Sequence, residues 1–356
     1  MSTLTLDEPA GSLNQKQSAS PRNRKAWVAR GPKQPLVLEP LDLGPLGDEE
    51  VEIAVEHCGL CHSDLSVLNN DWGISQYPAV LGHEVVGRVT ALGRGAKGIA
   101  VGQRVGVGWM AVSCMHCRQC MSGSHHLCPQ VQLTVVGHRG GFASHVRAHW
   151  AWTIRLPEKL DAADAGPLLC AGVTVFAPLA MYAKPSDRVG VVGIGGLGHL
   201  ALKFAAAYGC DVTAFTSSEG KFDEARGFGA HHVVSSRDSA AIQNLRGNFD
   251  LLVSTVNVPL DWDALIGTLA PNGRLHLVGA VPDPIPVSAF ALIGQQRSVS
   301  GSPTASPVRI RTMLDFAARH NVAPQTEHFP MSAINEAVAR LESGRARYRI
   351  VLDTDF

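Results

Sequence analysis

Residues 189–209 read V-G-V-V-G-I-G-G-L-G-H-L-A-L-K-F-A-A-A-Y-G. The segment begins with a short apolar run typical of a buried strand, passes through closely spaced glycines and continues with apolar residues at helical spacing. Gly209 is a typical residue for a helix to end on. The segment therefore predicts a strand, a tight glycine turn and a helix that begins at that turn.

Strand and helix patterns alternate on both sides of this segment. Short apolar runs that predict further strands lie at residues 211–215, 251–256 and 274–279. Strands that alternate with helices form parallel sheets with crossover helices. Before the glycine turn the pattern differs, because short runs such as 51–55 and 85–89 are separated by Gly and Pro and predict strands joined by turns. The predicted fold class is α/β.

The glycine turn has the spacing G-x-G-x-x-G, which is typical of dinucleotide binding. Glycines permit the tight turn and let the backbone approach a pyrophosphate, which binds at the helix N-terminus. The predicted cofactor contacts are Gly193, Gly195, Gly196, Leu197 and Gly198. A glycine turn that merely packs helix on sheet is the alternative. We favour the dinucleotide because strand, turn, helix and next strand follow in the order of a Rossmann domain.

The end of the second predicted strand indicates which dinucleotide is bound. An NAD-selective site carries Asp or Glu there, about 20 residues after the turn, to bind the ribose hydroxyls. This chain has Thr216, Ser217 and Ser218, with Lys221 close behind. Small hydroxyls leave room for a 2′-phosphate and a lysine supplies positive charge, so the pattern favours NADP(H). Two observations stand against it: Glu219 would repel a phosphate if it pointed inward, and Lys221 is also consistent with a solvated surface lysine.

A cysteine-rich loop reads C-M-H-C-R-Q-C-M-S-G-S-H-H-L-C and places thiols at Cys114, Cys117, Cys120 and Cys128. Two intervening residues let a turn aim successive sulfurs at one point, which predicts a closed tetrahedral site for structural zinc. An iron–sulfur cluster is disfavoured, because that signature has three residues before the last cysteine and here there are seven. Disulfides are disfavoured because we expect a cytoplasmic chain with reduced thiols.

A second metal site is predicted from three dispersed motifs, C-G-L-C-H-S-D, G-H-E and L-L-C-A-G-V-T. The thiolates of Cys61 and Cys170 and the imidazole of His83 make a three-ligand zinc site whose open fourth position accepts a carbonyl or alcohol oxygen. Asp64 is expected to hydrogen-bond the outer nitrogen of His83. Glu84 is a further carboxylate beside the metal.

Each of these residues has a plain structural explanation when taken alone. A lone His83 is more often a satisfied core or surface histidine. Cys170 in an apolar run would be a small buried apolar residue, which is the interpretation we give to Cys58 and Cys210. The combination, rather than any one residue, predicts the catalytic metal.

Bulk composition bounds the remaining possibilities. The 356 residues predict roughly two domains at ~150 residues each. Lys plus Arg and Asp plus Glu both number 31, so no nucleic-acid or membrane partner is expected. We expect neither a membrane span, which needs about 20 apolar residues, nor a secretory signal. Residues 1–24 are rich in Ser, Gln and Asn and predict a flexible extension.

Taken together, these motifs resemble those of zinc-containing medium-chain alcohol dehydrogenases. The matching stretches are C-G-L-C-H-S-D-L, L-G-H-E-V-V-G-R-V, V-G-Q-R-V-G-V-G, the four-cysteine loop, G-P-L-L-C-A-G-V-T-V and V-G-I-G-G-L-G-H. G-P-L-L-C-A-G and A-R-Y-R-I-V-L resemble the cinnamyl alcohol dehydrogenase-like branch. C-H-S-D-L-S, D-W-G-I-S-Q-Y-P and S-V-S-G-S are similar to the bacterial broad-range NADPH-dependent aldehyde reductases of that branch. The resemblance covers about residues 25–356.

The resemblance implies two domains with the active site in the cleft between them. A mainly-β GroES-like catalytic domain is expected at residues 25–171 and 304–356, and the Rossmann NADP-binding domain at residues 172–303. The same metal ligands are implied, with Glu84 alongside. Dimers or tetramers are usual in this family, and we expect the contact at a sheet edge near Val278.

The resemblance also implies roles around the metal. It places Ser63 as the hydroxyl that passes the substrate proton, His62 near the cofactor phosphates and Thr174 on the nicotinamide side. Trp72 and Trp109 fall where the family lines its substrate pocket, although plain core packing is an open alternative for both.

Two departures limit what is carried over from the family. Ser66 replaces a histidine found in many relatives, so the last proton-relay step stays open between His62 and water. The segment after Cys128 is shorter than in the plant enzymes, so cinnamyl specificity is not transferred.

The expected function is interconversion of aldehydes and primary alcohols by hydride transfer with NADP(H), over a broad range of aldehydes. Two zinc ions per chain are expected, one catalytic and one structural. An NAD-dependent alcohol or polyol dehydrogenase is one alternative, and the missing acidic residue after Phe215 argues against it. A recruited, non-enzymatic zinc- and nucleotide-binding protein is the other. It predicts decay of the catalytic set, yet Cys61, Ser63, His83 and Cys170 are all present.

Overall fold

The computed structural model describes residues 24–356. The predicted extension at residues 1–24 therefore lies, except for Arg24, outside the described residues. The strands are, in chain order, β1 Lys25–Ala29, β2 Val37–Pro40, β3 Glu50–Leu60, β4 Ala79–Val80, β5 Glu84–Leu92, β6 Arg104–Val107, β7 Met110–Val112, β8 Gln132–Leu133, β9 His145–His149, β10 Ile154–Arg155, β11 Arg188–Val192, β12 Asp211–Thr216, β13 His232–Ser235, β14 Phe249–Ser254, β15 Leu269–Leu277, β16 Ser298–Gly301, β17 Thr326–Pro330 and β18 Arg349–Asp353.

The helices follow the same order. They are α1 His62–Asn69, α2 Arg118–Met121, α3 Ala171–Tyr182, α4 Gly198–Tyr208, α5 Phe222–Gly227, α6 Ser239–Gln243, α7 Trp262–Gly267, α8 Ala289–Ile293, α9 Pro307–His320 and α10 Ile334–Glu342. Helix α4 ends at Gly209, which adopts a left-handed conformation with φ +92°. Between residues 24 and 356, no helix is both long and apolar enough to cross a bilayer.

The predicted parallel sheet is confirmed. Six strands lie in the order β13-β12-β11-β14-β15-β16, and every neighbouring pair is parallel. Strand β11 is central, and its fully buried Val189 and Val191 lie in the same core cluster as residues of α3, α4 and α9. Because the carboxyl ends of parallel strands meet at one edge of the sheet, the glycine turn after β11 lies beside the ends of β12 and β14.

The remaining strands confirm the mainly-β GroES-like part. Its largest sheet has the order β10-β6-β5-β3-β18-β17, with β9 also paired to β3. The long strand β3 pairs antiparallel with β5, β9 and β18. Cys58 on β3 lies opposite Leu352 on β18, so the end of the chain pairs with the strand that leads into Cys61.

Strand β17 was not predicted, because its sequence T-E-H-F-P has no clear alternation of buried and exposed residues. It lies parallel to β18 and is half-exposed. The expectation that a sheet edge lies near Val278 is wrong, whereas the subunit contact itself stays a prediction. Strand β15, which ends just before Val278, is flanked by β14 and β16, so β16 forms that edge of the sheet. Val278 instead lines the central cleft.

Helix α9 packs against α3 and α4 in the core beneath the parallel sheet. The ring of Phe316 on α9 lies 5.3 Å from Phe176 on α3 and 6.1 Å from Phe204 on α4. Aromatic pairs of this kind contribute about 0.5–1.5 kcal/mol each beyond their buried area. Because α9 falls in the segment assigned to the catalytic domain, the boundary at residue 304 stays a prediction.

Candidate active site and metal centres

The loop that carries Cys61 is fixed by the buried carboxylate of Asp64. Its Oδ2 accepts a hydrogen bond from the Cys61 backbone N–H (2.9 Å), at the point where β3 ends and α1 begins. Its Oδ1 accepts from the Gly82 backbone N–H and lies 2.9 Å from Nδ1 of His83. Gly82 has φ +92°, a conformation that glycine adopts readily. One carboxylate therefore holds the loops of Cys61 and His83 together and orients the His83 ring.

Four donor groups, which together are called the metal cluster, converge beside this carboxylate. The ligand atoms of Cys61, His83, Glu84 and Cys170 all lie within 4.8 Å of one another. Because Nδ1 of His83 contacts Asp64, its Nε2 faces inward and lies 3.3 Å from Sγ of Cys170. Two thiols and one imidazole, with a carboxylate alongside, suit zinc in a catalytic site with an open position.

The surroundings of Cys61 favour the metal-binding form of that thiol, while hydrogen bonding with Cys61 and burial raise the pKa of Cys170. Hydrogen bonding with Cys170 holds the pKa of Cys61 well below its usual range, and the charges of Arg349 and His83 lower it further, while burial opposes the shift. The thiolate is the form of cysteine that binds zinc.

Arg349 is a site residue that sequence reasoning missed. It is 4% exposed, and its guanidinium donates to Oε1 of Glu84, while Oε2 of Glu84 has no hydrogen-bond partner among the described residues. Burial raises the pKa of Glu84 to about 7, and the charge of Arg349 opposes that shift. A Cβ added to Gly196 would lie 2.8 Å from Nη1 of Arg349. Arg349 thus lies between the metal cluster and the glycine turn.

The four-cysteine loop also gathers its donors. The Sγ atoms of Cys114, Cys117, Cys120 and Cys128 lie within 4.8 Å of one another. Backbone N–H groups point at the sulfurs, including Cys117 N to Cys114 Sγ (3.3 Å) and Gln130 N to Cys128 Sγ (3.3 Å). The backbone N–H of His116 is the main cause that lowers the pKa of Cys114 to about 6. All eight cysteines lie in the described part of the chain and none forms a disulfide.

The glycine turn has the shape that its residues require. Gly193 has φ +90°, and a Cβ on Gly198 would lie 1.9 Å from the Gly193 carbonyl oxygen, so a side chain is excluded at that position. Thr255, just after β14, donates its hydroxyl to the carbonyls of Gly193 (2.8 Å) and Val192 (3.1 Å). This threonine was not identified from the sequence, because the contact joins residues about 60 positions apart.

A cleft of 870 Å³ joins the metal cluster to the glycine turn. The predicted site residues that line it are Cys61, His62, Ser63, Trp72, Trp109, Cys170, Thr174, Gly193, Gly195, Gly196, Leu197 and Lys221, and Ser66 lines it too. The rings of Trp109 and His83 form a T-shaped pair at 4.6 Å, and Trp72 lies 6.1 Å from Trp109. Trp72 is 40% exposed, so the two tryptophans form an apolar wall from the metal cluster to the cleft mouth.

The predicted 2′-phosphate residues divide between the cleft and its rim. Lys221 lines the cleft and donates from Nζ to the Ile194 carbonyl (2.9 Å), within the glycine turn. Thr216 is buried at the end of β12, and Ser217 and Ser218 are exposed beyond it. Glu219 is exposed as well. On the opposite wall, Nε2 of His62 lies 3.4 Å from the Asn257 amide.

Comparison with known proteins gives consistent matches along the chain. The family model "Alcohol dehydrogenase GroES-like domain" matches residues 47–158, and "Zinc-binding dehydrogenase" matches residues 196–319. Aldehyde reductase AdhA of Synechocystis sp. is 52% identical over 328 residues, covering 92% of this chain and 97% of the reductase. The cinnamyl alcohol dehydrogenase SbCAD4 of Sorghum bicolor has a TM-score of 0.89 and 39% identity, over 93% of this chain and 97% of that one. CAD from Helicobacter pylori, complexed with NADP(H), has a TM-score of 0.85 and 28% identity over the same shares.

Proposed function

The chain belongs to the zinc-binding, medium-chain alcohol dehydrogenase family, whose members act on alcohols and aldehydes, and we propose that it is an NADP(H)-dependent aldehyde reductase of broad range. The proposal includes a catalytic zinc at Cys61, His83 and Cys170 and a structural zinc at the four-cysteine loop. It also includes the predicted division into a catalytic and a nucleotide-binding domain.

The observation that carries the proposal is the placement of the thiols and the glycine turn on one cleft. When bound, zinc supplies a Lewis acid for the substrate oxygen, and NADP(H) supplies or accepts the hydride. Because both groups would bind on one cleft, a single bound substrate can contact both at the same time. The reaction then does not depend on a chance encounter of substrate and cofactor in solution.

Chain residues supply the remaining chemistry. Asp64 fixes the tautomer of His83 so that its Nε2 faces the metal ligands. Ser63 is half-buried on the cleft wall, where its hydroxyl passes a proton between substrate and solvent. Trp72 and Trp109 exclude water from one side of the cleft and offer apolar surface to an aldehyde chain or ring.

The preference for NADP(H) is supported by the rim beside the glycine turn. The end of β12 presents hydroxyls rather than a carboxylate, and Lys221 places an ammonium at the cleft edge. An acidic residue at that strand end is what an NAD site uses to bind the ribose hydroxyls. The NADP(H) complex of the related Helicobacter pylori enzyme supports the same assignment.

A homodimer or homotetramer is part of the proposal. Strand β16 ends the parallel sheet on one side, and α8, the helix that precedes β16 in the chain, carries Phe290 and Ile293, which are 87% and 73% exposed. An unpaired sheet edge and exposed apolar side chains are both typical of subunit contacts.

Initial rates with zinc-loaded protein test the function. NADPH and NADH are compared side by side, each with one aliphatic and one aromatic aldehyde. We expect rapid reduction of both aldehydes with NADPH and a lower kcat/KM with NADH. A preference for NADH would overturn the 2′-phosphate assignment. Absence of turnover with either cofactor would overturn the proposed reaction.

A further inference from the structure

His199 is a buried histidine that the proposed function does not use. It follows Gly198 in the first turn of α4, directly after the glycine turn, and it is 0% exposed. A fully buried imidazole must satisfy both ring nitrogens or lose stability. The partners of those nitrogens therefore indicate what the residue does.

The two ring nitrogens of His199 contact different parts of the fold. Nδ1 lies 3.1 Å from the carbonyl oxygen of Gly195, inside the glycine turn. Nε2 lies 3.2 Å from the backbone N–H of Gln325, which directly precedes β17 in the mainly-β part. A carbonyl accepts and an N–H donates, so Nδ1 carries the proton and Nε2 accepts. Both contacts require the same neutral tautomer.

Surrounding groups keep the imidazole neutral and fixed in orientation. The ring stacks on Tyr348 at 5.0 Å and forms a T-shaped pair with Phe228 at 5.6 Å. Burial lowers the pKa of His199 to about 3, so the ring is uncharged near neutral pH.

The contact with Gln325 continues to the metal cluster. The Gln325 carbonyl oxygen accepts hydrogen bonds from the backbone N–H groups of Tyr348 and Arg349, both at 3.0 Å. The guanidinium of Arg349 in turn donates to Glu84. A continuous set of contacts therefore joins Gly195 to the carboxylate beside the catalytic thiols.

We propose that His199 is a positioning residue that holds the dinucleotide-binding turn in register with the metal-bearing half of the cleft, one ring nitrogen serving each half. The inference rests on the proposed dinucleotide site. The Nδ1–H fixes the Gly195 carbonyl, and so the turn against which the pyrophosphate binds. The Nε2 acceptor fixes the strand ends that carry Arg349, and so the distance between cofactor and metal cluster.

Two substitutions separate these tasks. In His199→Asn the side-chain amide N–H lies close to the position of Nδ1, so the bond to Gly195 is kept and the acceptor for Gln325 is lost. In His199→Gln the amide oxygen reaches the position of Nε2, so the acceptor is kept and the Gly195 bond is lost. The substitutions are made in the full-length, zinc-loaded chain.

Dissociation constants for NADPH and steady-state kcat are measured for wild type and both variants. For His199→Gln we expect the Kd of NADPH to rise about tenfold, as for one lost buried hydrogen bond, with kcat within about twofold. For His199→Asn we expect Kd within about twofold of wild type and kcat about tenfold lower, because the hydride donor and the metal are misaligned.

Phe204→Leu serves as the matched control for loss of stability. Phe204 lies on the same helix, is fully buried and packs on Phe176 and Phe316, away from the glycine turn. This variant should unfold at a lower temperature with Kd and kcat unchanged. The inference is overturned if the Asn and Gln variants change Kd and kcat alike, in proportion to their stability. Failure of the wild type to bind either dinucleotide would overturn the proposed function as well.

Discussion

Replacing Lys221 with alanine should reduce catalysis with NADPH far more than catalysis with NADH. The Nζ of Lys221 is anchored 2.9 Å from the Ile194 carbonyl and lies 5.4 Å from the centre of the Tyr348 ring. Burial lowers the pKa of Lys221, and the nearby charge of Arg347 lowers it further. A charge-assisted hydrogen bond contributes about 1.5–3 kcal/mol when well shielded. Lys221 is only half-buried, so screening reduces this and we expect kcat/KM for NADPH to fall about 10–30-fold.

NADH lacks the 2′-phosphate, so it should lose only the effect of the Ile194 contact on the turn. That effect is expected to be less than about fivefold in kcat/KM. The assay is the initial rate of cofactor oxidation at saturating aldehyde, with each cofactor varied in turn. The NADPH-to-NADH ratio of kcat/KM is the quantity compared between variants.

Lys203→Ala is the matched control. Lys203 is also half-buried. Its Nζ donates to the backbone carbonyl of Ala323 at 2.8 Å and lies 5.3 Å from the centre of the Phe228 ring. It lies on α4 and does not line the cleft. The ratio should not change in this control. Equal loss with both cofactors on replacing Lys221, or no loss with either, would refute the reasoning.

Three further outcomes are expected. Cys61→Ser or His83→Ala should remove most turnover while the Kd of NADPH stays near the wild-type value, and retained turnover would contradict the ligand assignment. Asp64→Asn should lower activity or zinc affinity about 10–100-fold through the loosened His83 ring, checked by zinc titration. Burial, then the charge of Arg274, lowers the pKa of His276 to about 4 from 6.5. The unfolded chain therefore binds a proton that the folded chain does not, and stability falls between pH 6.5 and pH 4. In urea unfolding, stability should fall more steeply with falling pH in wild type than in His276→Gln, by up to about 1.4 kcal/mol per pH unit, and equal slopes would contradict it.

The glycine turn was predictable because its determinants are local. Strand, turn and helix follow one another within residues 189–209, and φ +90° at Gly193 explains why glycine stands there. The four-cysteine loop was predictable for the same reason, since its donors span only 15 residues. The short helix α2 within that loop gave no separate signal.

Prediction of the dispersed metal ligands required a combination of motifs, and the residues that surround those ligands could not be derived from sequence spacing. Glu84 and Arg349 are 265 positions apart, and they meet because β3 pairs with both β18 and β5. His199 and Gln325 also meet because the last part of the chain packs back on earlier elements. Such long-range contacts cannot be derived from a single sequence, because the local pattern around one residue contains no information about its distant partner.

The sheet edge was misplaced for a related reason. Val278 follows an apolar run that predicts a strand, but the run does not show whether another strand pairs beyond it. Residues 298–301 supply that strand, although their sequence S-V-S-G carries one apolar side chain. Pairing to β15 rather than intrinsic preference makes these residues a strand.

Zinc content measured together with turnover tests the central claim most directly. The donor geometry predicts two zinc ions per chain in the active wild type and about one in Cys61→Ser, which keeps the four-cysteine site. NADPH-dependent aldehyde reduction should be absent from Cys61→Ser and from metal-depleted wild type, and it should return to the wild type when zinc is restored. Undiminished turnover in protein without zinc, or two zinc ions retained by inactive Cys61→Ser, would contradict the assignment of Cys61, His83 and Cys170 as the catalytic metal site.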